Sequence, residues 1–176
     1  MQYYARSVPI VLVLLLFGCT SVVEQEAYPL CADTFEPKPS EYHVIGFYPA
    51  WKHNVTTVSQ IRWDLFTRVI YAFAIPRSDG SLDVTQLTQV DTLVAAAHAH
   101  GVEVYLSVGG GSGSEQFPVL AADGEARRNF VQSISEYLEA HCLDGVDIDW
   151  EHWAKDNANA PVASEQAGFV LSLIHI

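Results

Sequence analysis

Asp144-Gly145-Val146-Asp147-Ile148-Asp149-Trp150-Glu151 alternates acidic and apolar side chains. A period of two belongs to a β-strand, so Asp147, Asp149 and Glu151 share one face while Val146, Ile148 and Trp150 share the other. Successive acids on that face stand roughly 6–7 Å apart, from a rise of about 3.3 Å per residue. Reading back along the chain, three more short apolar runs have strand character, at 44–48, 68–74 and 103–108, with the last strand at 145–150. Residues 69–74 are apolar without alternation, as a strand covered on both faces is.

Helical patterns separate these runs. Thr88 and Asp91 form a capping-box-like pair, and Leu93, Val94 and Ala97 make one apolar face before Gly101 stops the helix. Asp123 caps a second helix, in which Phe130, Val131, Ile134, Tyr137 and Leu138 recur at helical spacing. Residues 58–65 read as a short helix in the first crossover. Strand–helix alternation implies βαβ units and an α/β fold with a parallel sheet. A doubly wound sheet and a (β/α)8 barrel both fit this order.

Three carboxylates in a row on a buried parallel strand repel each other and lose solvation, so core packing does not select them. Their crowding raises at least one pKa, and the group nearest the apolar rim can keep its proton near neutrality, as a general acid requires.

The run 144–151 also matches the DxxDxDxE signature of the family 18 glycoside hydrolases, in its DGxDxDWE form. Gly46-Phe47-Tyr48-Pro49-Ala50-Trp51 resembles the first strand of that family and Tyr71-Ala72-Phe73-Ala74 the second. Ser107-Val108-Gly109-Gly110 resembles the SxGG motif that ends the third. The resemblance covers residues 43 to about 153 and implies the (β/α)8 TIM barrel, with the active site at the carboxyl ends of the strands. The chain is expected to hold about the first four β/α units, with residues 43–170 forming the N-terminal half of the barrel.

The same resemblance implies retaining, substrate-assisted hydrolysis of β-1,4-linked N-acetylglucosamine polymers, outside the usual two-carboxylate scheme. In it Glu151 protonates the leaving oxygen, the substrate's acetamido carbonyl attacks the anomeric carbon, and Asp149 orients the acetamide N–H. Asp147 lies deeper, bonded to Asp149 and to the Ser107 hydroxyl. Phe47, Trp51 and Phe73 are candidates for the cleft floor, because sugar rings stack on aromatics; ordinary barrel core is the other reading of these side chains. Ser107, Gly109, Gly110 and Trp150 are carried over as substrate-contacting positions. Many relatives have tyrosine where Phe47 stands and tryptophan where Gly111 follows the SxGG motif, so the subsite beside the scissile bond is expected to be more open here.

Two other functions stay in view. One is an endo-β-N-acetylglucosaminidase acting on glycans. The other is a non-catalytic, chitin-binding lectin-like protein, although such relatives usually lose the glutamate present here as Glu151. Four strands do not close a barrel, and the 176-residue chain alone is expected to be inactive and marginally stable.

Composition narrows the partners. With 21 Asp and Glu against 9 Lys and Arg, the net charge of −12 disfavours nucleic acid. The seven histidines form no ligand set, and His98 and His100 read as solvated surface side chains. The three acids form a line rather than a cage, with no glycine-turned oxygen-ligand loop. No metal or other cofactor is expected. Gly109 to Gly113 lacks the lysine and hydroxyl residue of a phosphate loop.

At the N-terminus, Arg6 and the apolar run from Pro9 to Phe17 read as a signal peptide over 1–18. Leu16-Phe17-Gly18-Cys19 resembles a bacterial lipobox, which implies lipidation of Cys19, a membrane anchor and, with Thr20 next, the outer membrane. An ordinary secretory peptide with a chance cysteine is the alternative. Residues 19–42, with three prolines and no periodicity, read as a tether. Cys31 and Cys142 are free to pair or to stay reduced. Residues 171–176 resemble the translated read-through of a sequencing adapter and are expected to be a non-native tail.

Overall fold

The computed structural model describes Cys31 and residues 35–151. The expected signal peptide, the lipidation site Cys19, most of the tether and the tail at 171–176 lie outside the described residues.

Strands β1 (Ile45–Pro49), β2 (Arg68–Pro76), β4 (Glu103–Gly109) and β5 (Gly145–Asp149) form a parallel sheet in the order β1-β2-β4-β5. All four lie where the sequence predicts them. A short β3 (Leu82–Asp83) turns back to pair antiparallel with the end of β2. Its signal was the Ser78-Asp79-Gly80-Ser81 turn, where Gly80 takes a φ of +91° that favours glycine.

The α-helices among the described residues are α1 (Val90–His98), α2 (Phe117–Ala122) and α3 (Gly124–His141). Tyr48, Val69, Tyr71, Val104, Leu106 and Val108 point from the strands into one core with Leu93, Val94, Phe130 and Ile134 of the helices. Fully burying a leucine- or phenylalanine-sized side chain stabilises by about 1.5–3 kcal/mol, so this layer anchors the sheet. The face that carries the acids is the opposite one. No helix among the described residues is long and apolar enough to cross a membrane.

Asp123 caps α3 as predicted, its carboxylate accepting from the N–H groups of Glu125 and Ala126 at 2.8 and 3.2 Å. Thr88 does not cap α1, whose N-cap is Gln89 with no side-chain bond. Residues 58–65 form two 3-10 turns, Val58–Gln60 and Trp63–Leu65, rather than a helix. The Thr57–Gln60 capping box closes the first within a single turn, and eight residues are too few for periodicity to separate the two forms. The six-residue α2 was not legible for the same reason.

The segment before the sheet is fastened to the domain where a tether was expected. Cys31 is disulfide-bonded to Cys142 at the end of α3. Phe35 stacks on His98 at 3.8 Å, and the Lys38 N–H donates to the Gly101 carbonyl at 2.9 Å. His98 is therefore no solvated histidine: it lies mostly buried, 2.9 Å from the Asp144 carboxylate, which also accepts from the Val104 N–H at 2.7 Å. Asp144, first acid of the quoted run, thus ties β4 to the start of β5 and stands apart from the other three.

The disulfide closes a loop with a sequence separation of 111. Cross-linking so long a loop restricts the unfolded chain, and its loss is worth about 2–5 kcal/mol. Replacing both cysteines by serine is expected to lower the urea midpoint of the oxidised protein by the corresponding amount. An unchanged midpoint contradicts the stabilising role.

Candidate active site

The sheet register builds the site row by row. Pro49 pairs with Ala72, Ala72 with Ser107, and Ser107 with Asp147, so these four residues lie side by side on the acid face. The Ser107 hydroxyl, fully buried, donates to Asp147 Oδ2 at 2.7 Å. One step toward the carboxyl ends Gly109 pairs with Asp149. Glu151 follows beyond the last ladder pair and is exposed. The three acids predicted from the alternation therefore share one face of β5 and its extension.

Burial raises the pKa of Asp149, and the nearby carboxylates of Glu151 and Asp147 push it further up. The sequence reading assigned the retained proton to the outermost acid. For Asp149, the middle one, the upward push comes first from burial, and the carboxylate on either side adds to it.

Glycines bring the strand ends close together. A Cβ on Gly109, whose φ is +111°, would run into the Asp149 carbonyl oxygen, and one on Gly110 would lie 2.8 Å from the Phe73 ring. At Gly111 an added Cβ would stand 3.3 Å from Glu151 Oε2. The acid's carboxylate thus rests over a bare stretch of backbone, the position that the resemblance marks as open.

A cleft of about 530 Å³ adjoins this stretch, lined by Trp51, Phe73, Asp83, Gln86 and Gly111 among others. The Trp51 and Phe73 rings stack at 5.9 Å, and Trp51 is 53% exposed. An exposed, braced indole is a platform for an apolar ring face. The β2 register shifts by one between Ala72 and Ala74, at the cis Ala72–Phe73 peptide, so Phe73 leaves the ladder at the cleft. Among these cleft residues Asp83 and Gln86 were missed in the sequence, because they depend on the β3 hairpin. Thr85 donates to Asp83 from both hydroxyl and N–H, and this holds its carboxyl below the usual range, with Arg77 nearby assisting.

Phe47 and Trp150 are placed differently. Phe47, 59% exposed, pairs with Ile70, one row below the Pro49–Asp147 row on the same face, and does not line the Trp51–Phe73 cleft. Trp150 turns to the opposite side of the sheet, where it stacks on Phe117 at 5.3 Å. This corrects its carried-over role as a substrate contact: strand alternation that aims Asp149 and Glu151 one way aims Trp150 into the helix layer. A further residue missed in the sequence is Ser114, buried beneath the loop after β4. Its only signal was a hydroxyl residue closing a glycine-rich run. Among the described residues, no group of three His, Cys, Asp or Glu side chains is arranged to hold a metal ion.

Acids and an aromatic-floored cleft at the carboxyl ends of parallel strands, with helices behind, define an α/β domain of the barrel class. The family model for glycosyl hydrolases family 18 matches residues 43–175, and the chain belongs to that family. A chitinase-like effector of Moniliophthora perniciosa is 35% identical over 140 residues, covering 76% of this chain and 32% of the relative. Probable chitinase 10 of Drosophila melanogaster is 28% identical over 158 residues, covering 81% of this chain and 7% of the relative. The structure of a chitinase from Bacteroides thetaiotaomicron superposes with a TM-score of 0.67 at 25% identity, covering 76% of this chain and 42% of that one. The chain spans about a third of the length of the first curated relatives it matches, 32% and 28%.

Proposed function

We propose that the whole protein hydrolyses β-1,4-linked N-acetylglucosamine polymers with retention of configuration, using the substrate's own acetamide as nucleophile. The observation that carries this reading is the row Asp147, Asp149 and Glu151 beside the Trp51–Phe73 cleft, with Ser107 bonded to Asp147. Sugar stacked over Trp51 places a glycosidic oxygen near the exposed Glu151, which donates a proton to it. Asp149 accepts a hydrogen bond from the acetamide N–H, and its carboxylate offsets the positive charge that develops there. Glu151 then activates water against the oxazolinium intermediate. A sugar ligand is supported by the similar structure of the Group II chitinase catalytic domain 2 of Ostrinia furnacalis in complex with (NAG)5, at 27% identity and a TM-score of 0.66.

The presence of Glu151 favours hydrolysis over a non-catalytic, chitin-binding role, and linear chitin over protein-linked glycans is the narrower part of the proposal. The test uses the full-length protein with N-acetylchitohexaose and its fully deacetylated counterpart. Cleavage of the first alone, with the β-anomer as the initial product by NMR, is expected. Equal cleavage of both, or an α-anomer as the initial product, contradicts the substrate-assisted route.

We propose also that the protein is exported and lipid-anchored through Cys19 at the outer membrane. The Cys31–Cys142 disulfide supports an oxidising destination. Radiolabelled palmitate is expected on the wild type and absent from Cys19→Ser; label on both contradicts the anchor.

A further inference from the structure

The end of β5 has an unusual support. Past the Gly109–Asp149 pair, Glu151 has no ladder partner in the described sheet. Its N–H instead donates to the Ser114 hydroxyl oxygen at 3.1 Å. The same Oγ lies 2.7 Å from the Gly110 carbonyl and 2.9 Å from the Asp149 carbonyl, while the Gly110 N–H donates to that Asp149 carbonyl at 2.9 Å. A hydroxyl has one proton to give and two lone pairs to accept with. Ser114 therefore donates toward one of the two carbonyls and accepts from Glu151. The side chain does the work of a strand neighbour.

Its surroundings keep it there. Ser114 is 1% exposed, so water does not compete for these bonds. A Cβ on the preceding Gly113 would strike the Gly109 carbonyl and come within 2.7 Å of Ile75 Cδ1, which fixes the approach of the loop. The loop that meets Glu151 through Ser114 is the same one that leaves Gly111 bare beneath its carboxylate.

We propose that Ser114 is a positioning residue for Glu151. Resting on the hydrolytic reading above, it fixes the backbone of the acid so that the carboxylate stands over Gly111 at the cleft. It touches no substrate. Loss of the hydroxyl frees the Glu151 N–H and lets the acid swing by an ångström or so, a displacement that costs about 100-fold in rate when it affects a reacting group. Ground-state sugar contacts, made by Trp51 and Phe73, are left in place.

The test compares Ser114→Ala and Ser114→Thr in the full-length protein. For Ser114→Ala, kcat on N-acetylchitohexaose is expected to fall about 100-fold with KM unchanged. Threonine, which keeps the hydroxyl, restores most of the rate. A kcat within twofold of the parent overturns the proposal, as does a parallel loss of kcat, KM and thermal stability that threonine does not rescue. Amide exchange at Glu151 separates this from failure of the hydrolytic reading, because it needs no turnover. Exchange about 10-fold faster in Ser114→Ala is expected from the lost hydrogen bond; unchanged exchange overturns the proposal even if the parent cleaves nothing.

Discussion

Replacing Glu151 by glutamine is expected to lower kcat on chitooligosaccharides by about 10²–10⁴-fold, the range for loss of a general acid, while leaving their affinity nearly intact. The amide keeps the size and hydrogen-bonding reach of the side chain and keeps the N–H bond to Ser114. It has no acidic proton to give. The binding platform, Trp51 stacked on Phe73, is not disturbed. Single-turnover kinetics and calorimetry on the same variant separate the two quantities. A variant that retains a tenth of the parent rate removes Glu151 from the acid role, and one that loses binding in proportion to rate places it in ground-state recognition.

The second large effect is at Asp149, where activity and stability are expected to move in opposite directions. Asparagine there removes the charge that offsets the positive acetamide in the intermediate, and kcat is expected to fall about 10²–10³-fold, as for other losses of electrostatic stabilisation. The pKa of Asp149 is raised by burial and by the flanking Glu151 and Asp147. It therefore holds its proton more readily in the folded chain than in the unfolded one. Its contribution to stability is present at acid pH, below the ordinary carboxylate pKa, and is lost as pH rises through the shifted value. Asp149→Asn is thus expected to unfold at a higher temperature than the wild type at pH 7, with the gap closing toward pH 3. A lower unfolding temperature at pH 7 contradicts the unfavourable environment assigned to this carboxylate. Sites that store such strain commonly trade stability for activity.

Much of this site was legible in the sequence because a β-strand converts spacing into geometry directly. Asp147, Asp149 and Glu151 needed only a period of two to fall on one face, and Ser107 pairs with Asp147 in that row. The buried strand over 69–74 showed as an unbroken apolar run, since helices cover one face and neighbouring strands the rest. What failed were features set by tertiary contacts. Trp150 was carried into the site by its motif, against its own alternation, and lies on Phe117. His98 read as a surface residue because Asp144 and Phe35, its partners, are 46 and 63 positions away in sequence. Ser114 offered no periodic signal at all, for it acts from a loop through a single oxygen atom on three backbone groups.

The displaced Phe73 illustrates the same limit. Within β2 a strict alternation would aim it with Tyr71, into the core. The register shift after Ala72 moves it over Gly110 and into the stack with Trp51. The aromatic floor of the cleft therefore depends on an irregularity that hydropathy does not record, whereas the acids depend on regularity that it does.

The most direct test is a crystal structure of the full-length Glu151→Gln protein bound to N-acetylchitohexaose. The side chain at 151 is expected within about 3 Å of a glycosidic oxygen, hydrogen-bonding reach for proton transfer, with Asp149 on the neighbouring acetamide and a sugar ring over Trp51. A sugar chain bound elsewhere, or residue 151 turned away from the scissile bond with Asp149 on solvent, contradicts the account.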